Sequence, residues 1–353
     1  MGKRRKTRQM KKYPRFRLDC KSEDERDQLL GIRDACRNSE LNLEEVKHGW
    51  IKEGNSSLFF KNPNFKEEQE KQIELLKKDL VKWVKSNAPL KKQKHFRIKG
   101  KHLLLIDPAD VHIGKLCSSL EVGKDYNSQI AVQRVFEGVN GILENAKGWD
   151  IEEIAFIGGN DILHIDTPKR TTTSGTPQDT DGMWYESFMI ACKLYQQVLE
   201  QLADIAPVRF VFNPSNHDYT NGFFLAQLIE AYFRNDQRIK FDVSISHRKY
   251  FQYYNNLIGT THGDGAKTQD LGALMAHEAC KEWSKTKHRY FYTHHVHHKT
   301  AKDLIGCTVE SLRSPTESDS WHSRNGYTGV PKAIEGYVHN REYGQVSRLT
   351  HIF

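Results

Sequence analysis

The chain has 353 residues, 37% hydrophobic and 28% charged, with a formal net charge of +8. That length suits two domains, or one large domain with an appendage. No apolar run approaches the roughly 18 residues of a spanning helix and no apolar segment follows the basic start, so neither a membrane protein nor a secretory leader is expected.

The six cysteines lie far apart with no CxxC pair. They read as reduced thiols of a cytoplasmic protein, not as a disulfide scaffold or zinc knuckle. Charge divides the chain: residues 1–101 hold 28 basic and 15 acidic side chains, a net of +13, and the remainder a net of −5. The opening MGKRRKTRQMKK has seven cations and no anion, headed by Lys3, Arg4, Arg5 and Lys6. A second basic run covers residues 91–101. Such runs attract phosphate backbones and release counterions as they neutralise them. The plainer reading of the first dozen residues is a solvated tail.

Residues 1–18 read as a basic flexible arm, and 19–101 as a mainly helical basic region with a linker. Helices are predicted over 22–36, 43–51 and 66–86, with an extended segment at 57–61. In the third helix Ile73, Leu76, Leu80, Trp83 and Val84 recur at 3–4 spacing, and Pro89 ends it. These helices fit a small DNA-binding module, or a prop packed on the main domain.

From residue 102 the pattern becomes that of an α/β domain running to 353. Strands are predicted at 103–106, 154–157, 208–212, 257–260, 290–292, 308–312, 333–338 and 345–352. Helices are predicted at 127–146, 182–205, 223–234 and 271–284. Of the 17 histidines, 15 lie from His102 onward. The first five strands are each followed by a polar cluster: Asp110-Val111-His112, then Asn160-Asp161-Ile162-Leu163-His164, then Ser215-Asn216-His217-Asp218, then His262-Gly263-Asp264, then His294-His295-Val296-His297-His298.

In open α/β sheets, functional groups gather beyond the carboxyl ends of the strands. One such loop would mean little; five in succession describe a site. Carboxylate, imidazole and amide oxygen together suit two divalent ions such as Mn²⁺, Fe²⁺ or Zn²⁺ better than Ca²⁺. Two cations sharing a carboxylate activate water near neutral pH and offset charge on a phosphoryl group. No P-loop is present, and no Ser-His-Asp or Cys-His arrangement stands out.

The order of these motifs resembles that of the calcineurin-like metallophosphoesterases: Asp-x-His, Gly-Asp, Gly-Asn-His, a lone His, then Gly-His-x-His. The resemblance implies a sandwich of two mixed β-sheets flanked by helices, with a two-metal site at the strand ends. It implies one metal on Asp110, His112, Asp161 and His297, and a second on Asp161, Asn216, His262 and His295, with Asp161 bridging and Mn²⁺ the first choice of ion. His217 would stabilise the transition state or protonate the leaving oxygen, and Asp218 would orient it. Asp161-Ile162-Leu163-His164 is similar to the second motif of the family's double-strand-break repair nucleases, which implies a phosphate contact for His164.

Three positions depart from the pattern. Asn160 replaces Gly, so Asn160 and Asp161 compete for the bridge, with charge favouring Asp161. Ser215 replaces Gly. His294 replaces Gly, which opens a second frame over His294, His295, His297 and His298; keeping the one-residue gap selects His295 and His297. Asp107 reads as a partner for His112 or as the end of a strand. In the polar insertion 165–181, Lys169, Arg170 and Thr171–Thr173 could grip phosphates, or the loop is simply solvated. Arg313, Asp319, Trp321, His322 and Arg324 form a further polar-aromatic cluster, in which Trp321 is either a base platform or half-buried core.

The expected function is a DNA nuclease using two metals. The alternatives are a phosphoesterase for small substrates such as cyclic nucleotides or phosphomonoesters, and a non-catalytic module that keeps the fold. Nothing in the sequence implies a membrane, a partner ATPase or a particular oligomeric state. Compact size and an early basic module suit a stand-alone bacterial or phage enzyme.

Overall fold

A computed structural model of the protein describes residues 48–53, 56–61, 78 and 98–353. The chain divides into two units, Met1–Ala88 and Pro89–Phe353. The expected arm at 1–18, the helix at 22–36, most of the helix at 66–86, and Lys3, Arg4, Arg5 and Lys6 lie outside the described residues. Within the first unit, β1 (His48–Glu53) and β2 (Ser56–Lys61) form an antiparallel hairpin, with Trp50 opposite Phe59. This corrects the helix expected at 43–51 over residues 48–51. Gly49 weakens a helix there, and the Trp50-Ile51 pair favours a strand once 56–61 supplies a partner.

The second unit holds two mixed sheets. One has six strands in the order β13-β12-β3-β4-β5-β6: β3 (Ile98–Asp107), β4 (Trp149–Gly159), β5 (Val208–Asn213), β6 (Ile239–Asp242), β12 (Ala333–Asn340) and β13 (Gly344–Ile352). β3 to β6 run parallel, and the β12–β13 pair joins antiparallel. The other has five strands in the order β10-β11-β9-β8-β7: β7 (Arg248–Tyr253), β8 (Asn256–Thr261), β9 (His288–Thr293), β10 (Thr300–Leu304) and β11 (Cys307–Ser311). Here β8, β9 and β11 are parallel.

The twofold alternation of the strands sorts their side chains. Leu103, Leu105, Ala155, Ile157 and Val211 of the six-stranded sheet meet Phe251, Tyr253, Ile258 and Tyr292 of the other in one buried layer. The intervening residues face the helices: Phe156 meets Tyr195 of α3 (Trp184–Ala203) at 5.9 Å between rings. Leu257 and Phe291 pack on Met275 of α5 (Leu271–Glu278). Burying a side chain such as Phe291 contributes about 1.5–3 kcal/mol. α2 (Ser128–Asn145) starts where Asn127 Oδ1 accepts the Ile130 N–H, and buries Val132, Val135, Val139 and Ile142.

The remaining α-helices among the described residues of the second unit are α1 (Ser119–Val122), α4 (Tyr219–Tyr232), α6 (Cys280–Lys285) and α7 (Ser320–Arg324). α4 begins four residues before the expected 223, because Asp166 accepts the N–H groups of Thr220 and Asn221. The helix expected over 271–284 is broken at Ala279 (φ −116°, ψ 41°) into α5 and α6. No helix among the described residues is long and apolar enough to cross a membrane.

Gly159 ends β4 at φ +77°, and a Cβ there would stand 2.1 Å from the Asn213 carbonyl oxygen. Gly159→Ala is expected to destabilise the second unit by about 2–5 kcal/mol, from left-handed strain plus the clash. Urea unfolding of the full chain measures it; a loss below about 1 kcal/mol would contradict this account.

Candidate metal centre

The strand ends of both sheets meet at one place. From the six-stranded sheet, the loop after β3 brings Asp110 and His112, the loop after β4 brings Asp161, and the loop after β5 brings Asn216 and His217. From the five-stranded sheet, β8 leads into His262, and β9 into His295 and His297. Backbone bonds carry the sheet register into these loops: Asp110 N–H donates to Asn160 O (2.8 Å), His112 N–H to Asp161 O (2.9 Å), and His294 N–H to His262 O (2.8 Å).

Three sets of possible ligand atoms result among the described residues; one is all imidazole, His112, His164 and His217, and the other two contain a carboxylate. Of those two, Asp110, His112 and His297 form the first, and Asp161, His262 and His295 the second, the atoms of each lying within 4.8 Å of one another. In the first, His297 Nε2 stands 3.4 Å from Asp110 Oδ1 and 3.4 Å from His112 Nε2. In the second, His262 Nε2 stands 3.2 Å from Asp161 Oδ2 and 2.9 Å from Asn216 Oδ1. The same Asp161 Oδ2 is 3.9 Å from His112 Nε2, so it lies between the sets.

Eight described non-glycine residues have positive φ, and six of them are Asp110, His112, Asn160, Asp161, His295 and His297. Each such residue costs on the order of 1–3 kcal/mol. The backbone is strained where the donors must crowd together, as a site built for a bound group requires.

The electrostatics follow from burial. Burial holds His112 well below the ordinary imidazole value, and the charges of His217, His164 and His297 push it further down. His295 and His297 are also lowered, mainly by burial. Neutral imidazoles of this kind are ready ligands. Burial opposes ionisation of Asp161, yet His262 and His217 hold its carboxyl far below the usual range. Burial alone would lower His262, but Asp161 and Asp110 raise it to about 9. Two fully buried carboxylates, several imidazoles and an amide oxygen form a donor set that fits divalent cations of the Mn²⁺, Fe²⁺ or Zn²⁺ type.

The other predicted residues take definite places. His217 N–H donates to Asp161 Oδ1 (3.0 Å), and its Nδ1 lies 2.9 Å from His164 O. His164 is buried, with Nδ1 3.2 Å from His112 Nδ1 and its ring stacked on His217 at 5.3 Å. Asp218 does not orient His217. Its Oδ1 accepts from Ser215 Oγ (2.6 Å) and its Oδ2 from Leu163 N–H (2.9 Å), so the His164 carbonyl fills that role instead. Burial and the nearby Asp161 push Asp218 up to about 8.

Asp107 is not the partner of His112 either. Fully buried, it meets His294 Nε2 at 2.9 Å, while His294 Nδ1 meets Thr261 O at 2.9 Å. His294 is thereby turned into the protein, and His295 and His297 face the donor sets. Ser215 Oγ lies 2.7 Å from the Asp161 N–H. Asn160 is fully buried with both side-chain amide atoms unpartnered.

The insertion is tied down, since Asp166 also accepts from Thr173 Oγ1 at 2.8 Å. Lys169 and Arg170 are exposed on it and do not line the cavity over the donors, to which the insertion contributes Thr176, Pro177, Gln178 and Asp179. Of the further cluster, Arg313 lies apart, paired with Glu335 at 2.5 Å. Sequence reasoning missed Lys115, only 1% exposed and 3.0 Å from Asp319 Oδ2. A lone Lys three residues after His112 carries no signal of that pairing.

No family model matches the chain, and no curated protein matches it. Solved structures do match. An archaeal phosphodiesterase is 8% identical, with 71% of this chain and 99% of that one covered and a TM-score of 0.34. Vacuolar protein sorting 29 from Cryptosporidium parvum is 14% identical, with 72% and 98% covered and a TM-score of 0.33. A predicted phosphoesterase from Streptococcus pneumoniae is 11% identical, with 71% and 97% covered and a TM-score of 0.28. Similarity this low carries no weight beside the geometry of the residues themselves.

His262 is charged below pH about 9, so a divalent cation taking that imidazole must displace its proton. Affinity for Mn²⁺ is expected to rise with pH up to about 9 and then level off. Calorimetric titration in buffers of different ionisation heat reads the released proton. An affinity flat between neutral pH and that value would contradict the assignment.

Proposed function

We propose that the protein is a two-metal phosphodiesterase of the calcineurin-like type that hydrolyses DNA. The observation that carries this reading is the place of Asp161 Oδ2 between two Asp/His sets, 3.9 Å from His112 and 3.2 Å from His262. One cation would be held by Asp110, His112, Asp161 and His297, the other by Asp161, Asn216, His262 and His295. Bound there, two divalent cations supply Lewis acidity to a phosphoryl group and a nucleophile at neutral pH.

The surrounding side chains have complementary tasks. With His112 Nε2 turned to the donors, its proton sits on Nδ1 and is donated to His164 Nδ1. His164 then carries its own proton on Nε2, free to donate to a phosphoryl oxygen. His217 donates Nδ1–H to the His164 carbonyl, which fixes the ring; in its imidazolium form the ring would carry a second proton on Nε2 for the departing oxygen. Asp218, engaged with Ser215 and Leu163, fixes the turn that presents Asn216 and His217.

The choice of DNA rests on charge. The net +13 of residues 1–101 suits a polyanion. Lys169 and Arg170 are exposed cations of the insertion, outside the cavity lining, and would meet backbone phosphates only beyond its rim. A small diester is the second reading, favoured by a cavity of about 720 Å³, the size of a small-molecule site.

Protein reloaded with Mn²⁺ is expected to cut end-labelled DNA and a chromogenic diester. Asp161→Ala should abolish both activities, and His217→Ala should cost about 10²–10⁴-fold. Turnover of the small diester alone would sink the DNA reading and keep the metal site. Turnover of neither substrate, with two metals bound, would favour a binding module.

Deleting residues 1–18 should weaken DNA cleavage and flatten its salt dependence by about 0.9 for each phosphate that the arm neutralises. The chromogenic diester should be cut as before. A salt slope equal to that of the full chain would remove the arm from DNA binding.

A further inference from the structure

We propose that Trp321 and Tyr327 form an aromatic platform that stacks the nucleobase joined to the phosphoryl group at the donor cluster. The proposal rests on the phosphodiesterase reading and adds the part of the substrate that the metal ligands do not touch.

The cavity of about 720 Å³ is lined both by the donor-cluster residues His112, Asp161 and His217 and by Trp321 and Tyr327. Trp321 is 61% exposed and Tyr327 60%, so neither ring belongs to the core. Their rings stack at 5.7 Å and 30°. Apolar faces left in water at the rim of a polar cavity gain by being covered.

A run of rings joins this platform to the metal ligands. His297 stacks on His322 at 5.5 Å and 18°, and His322 meets the edge of Trp321 at 5.2 Å. Two ring-to-ring steps therefore separate a ligand imidazole from the platform. A planar base extends the Trp321–Tyr327 stack. Every base has a π-face, so the platform selects nucleotides as a class without reading their order.

The platform is held from beneath. Buried Lys115 follows the Asp110–His112 loop, and its Nζ donates to Glu317 O (2.9 Å) and pairs with Asp319 Oδ2 (3.0 Å). Asp319 Oδ1 in turn accepts from His322 N–H (2.9 Å) and lies 2.7 Å from His322 Nδ1. Tyr327 N–H donates to His322 O at 2.9 Å, and Ser318 Oγ to Tyr327 O at 3.0 Å. Asp319 is thus fully engaged with Lys115 and His322. The segment that supplies two ligands also fixes the ring beside them, so the platform is formed before a substrate arrives.

Two measurements test the proposal. In the first, metal-free protein is titrated with deoxyadenosine 5′-monophosphate or deoxyribose 5-phosphate while tryptophan fluorescence is followed. The nucleotide should quench saturably and bind at least about fivefold tighter. Trp321→Phe should remove the quench, and Tyr327→Ala should weaken binding. In the second, Mn²⁺-loaded protein hydrolyses thymidine 5′-(p-nitrophenyl phosphate) and methyl p-nitrophenyl phosphate. Trp321→Ala should lower the ratio of kcat/KM for the nucleotidyl ester to that for the methyl ester by about 5- to 150-fold, through KM, and Trp321→Phe should restore most of it. Equal binding of nucleotide and sugar phosphate, or an unchanged ratio in Trp321→Ala, overturns the platform even while both esters are hydrolysed. Selective quenching with neither ester hydrolysed supports the platform and defeats the phosphodiesterase reading instead.

Discussion

The second unit is organised around one electrostatic demand. Two buried carboxylates and several imidazoles must bring lone pairs to within 3–4 Å of each other at the ends of five strands. Without a shared partner that crowding is unfavourable, and the chain meets it with local strain at six residues and with neighbours fully committed elsewhere. Ser215, Asp218 and the His164 carbonyl each hold a loop or a ring in place, and none competes for the donors.

The same demand explains polar groups deep in the sandwich. Asp107 at the end of β3 and His294 after β9 are both fully buried and bonded to each other, joining the two sheets directly beneath the donors. Nearby, Glu335 is fully buried and paired with Arg313, and Arg348 pairs with Glu310. An apolar layer would pack with less desolvation, but it would not fix the relative register of the sheets as directed bonds do. Register matters here because the ligands come from both.

Much of this is legible in the sequence for a physical reason. Each ligand cluster is contiguous and stands directly behind an apolar run, so strand and loop announce each other. The strands of the second unit that the pattern does not predict, β6, β7 and β10, are all sheet edges, where a polar face is favoured and the apolar alternation fades. The first turn of α4 hides in Thr220-Asn221-Gly222, which reads as a turn; its cap, Asp166, lies more than 50 residues earlier. Asp107 with His294 and Lys115 with Asp319 are separated by about two hundred positions, and no spacing rule reaches that far. The first half of the hairpin at 48–61 reads as helix because Trp50 continues the 3–4 spacing of Leu43 and Val46, which lie before it, until the partner strand is known.

The division of the ligands between the sheets has a mechanical consequence. Asp110, His112, Asp161 and Asn216 ride on the six-stranded sheet; His262, His295 and His297 ride on the five-stranded one. Any group gripped by both halves acts as a rivet through the sandwich, and sliding one sheet across the other must first loosen that grip. Occupancy of the centre and the stability of the second unit are therefore linked, since what binds only the native state also holds it together.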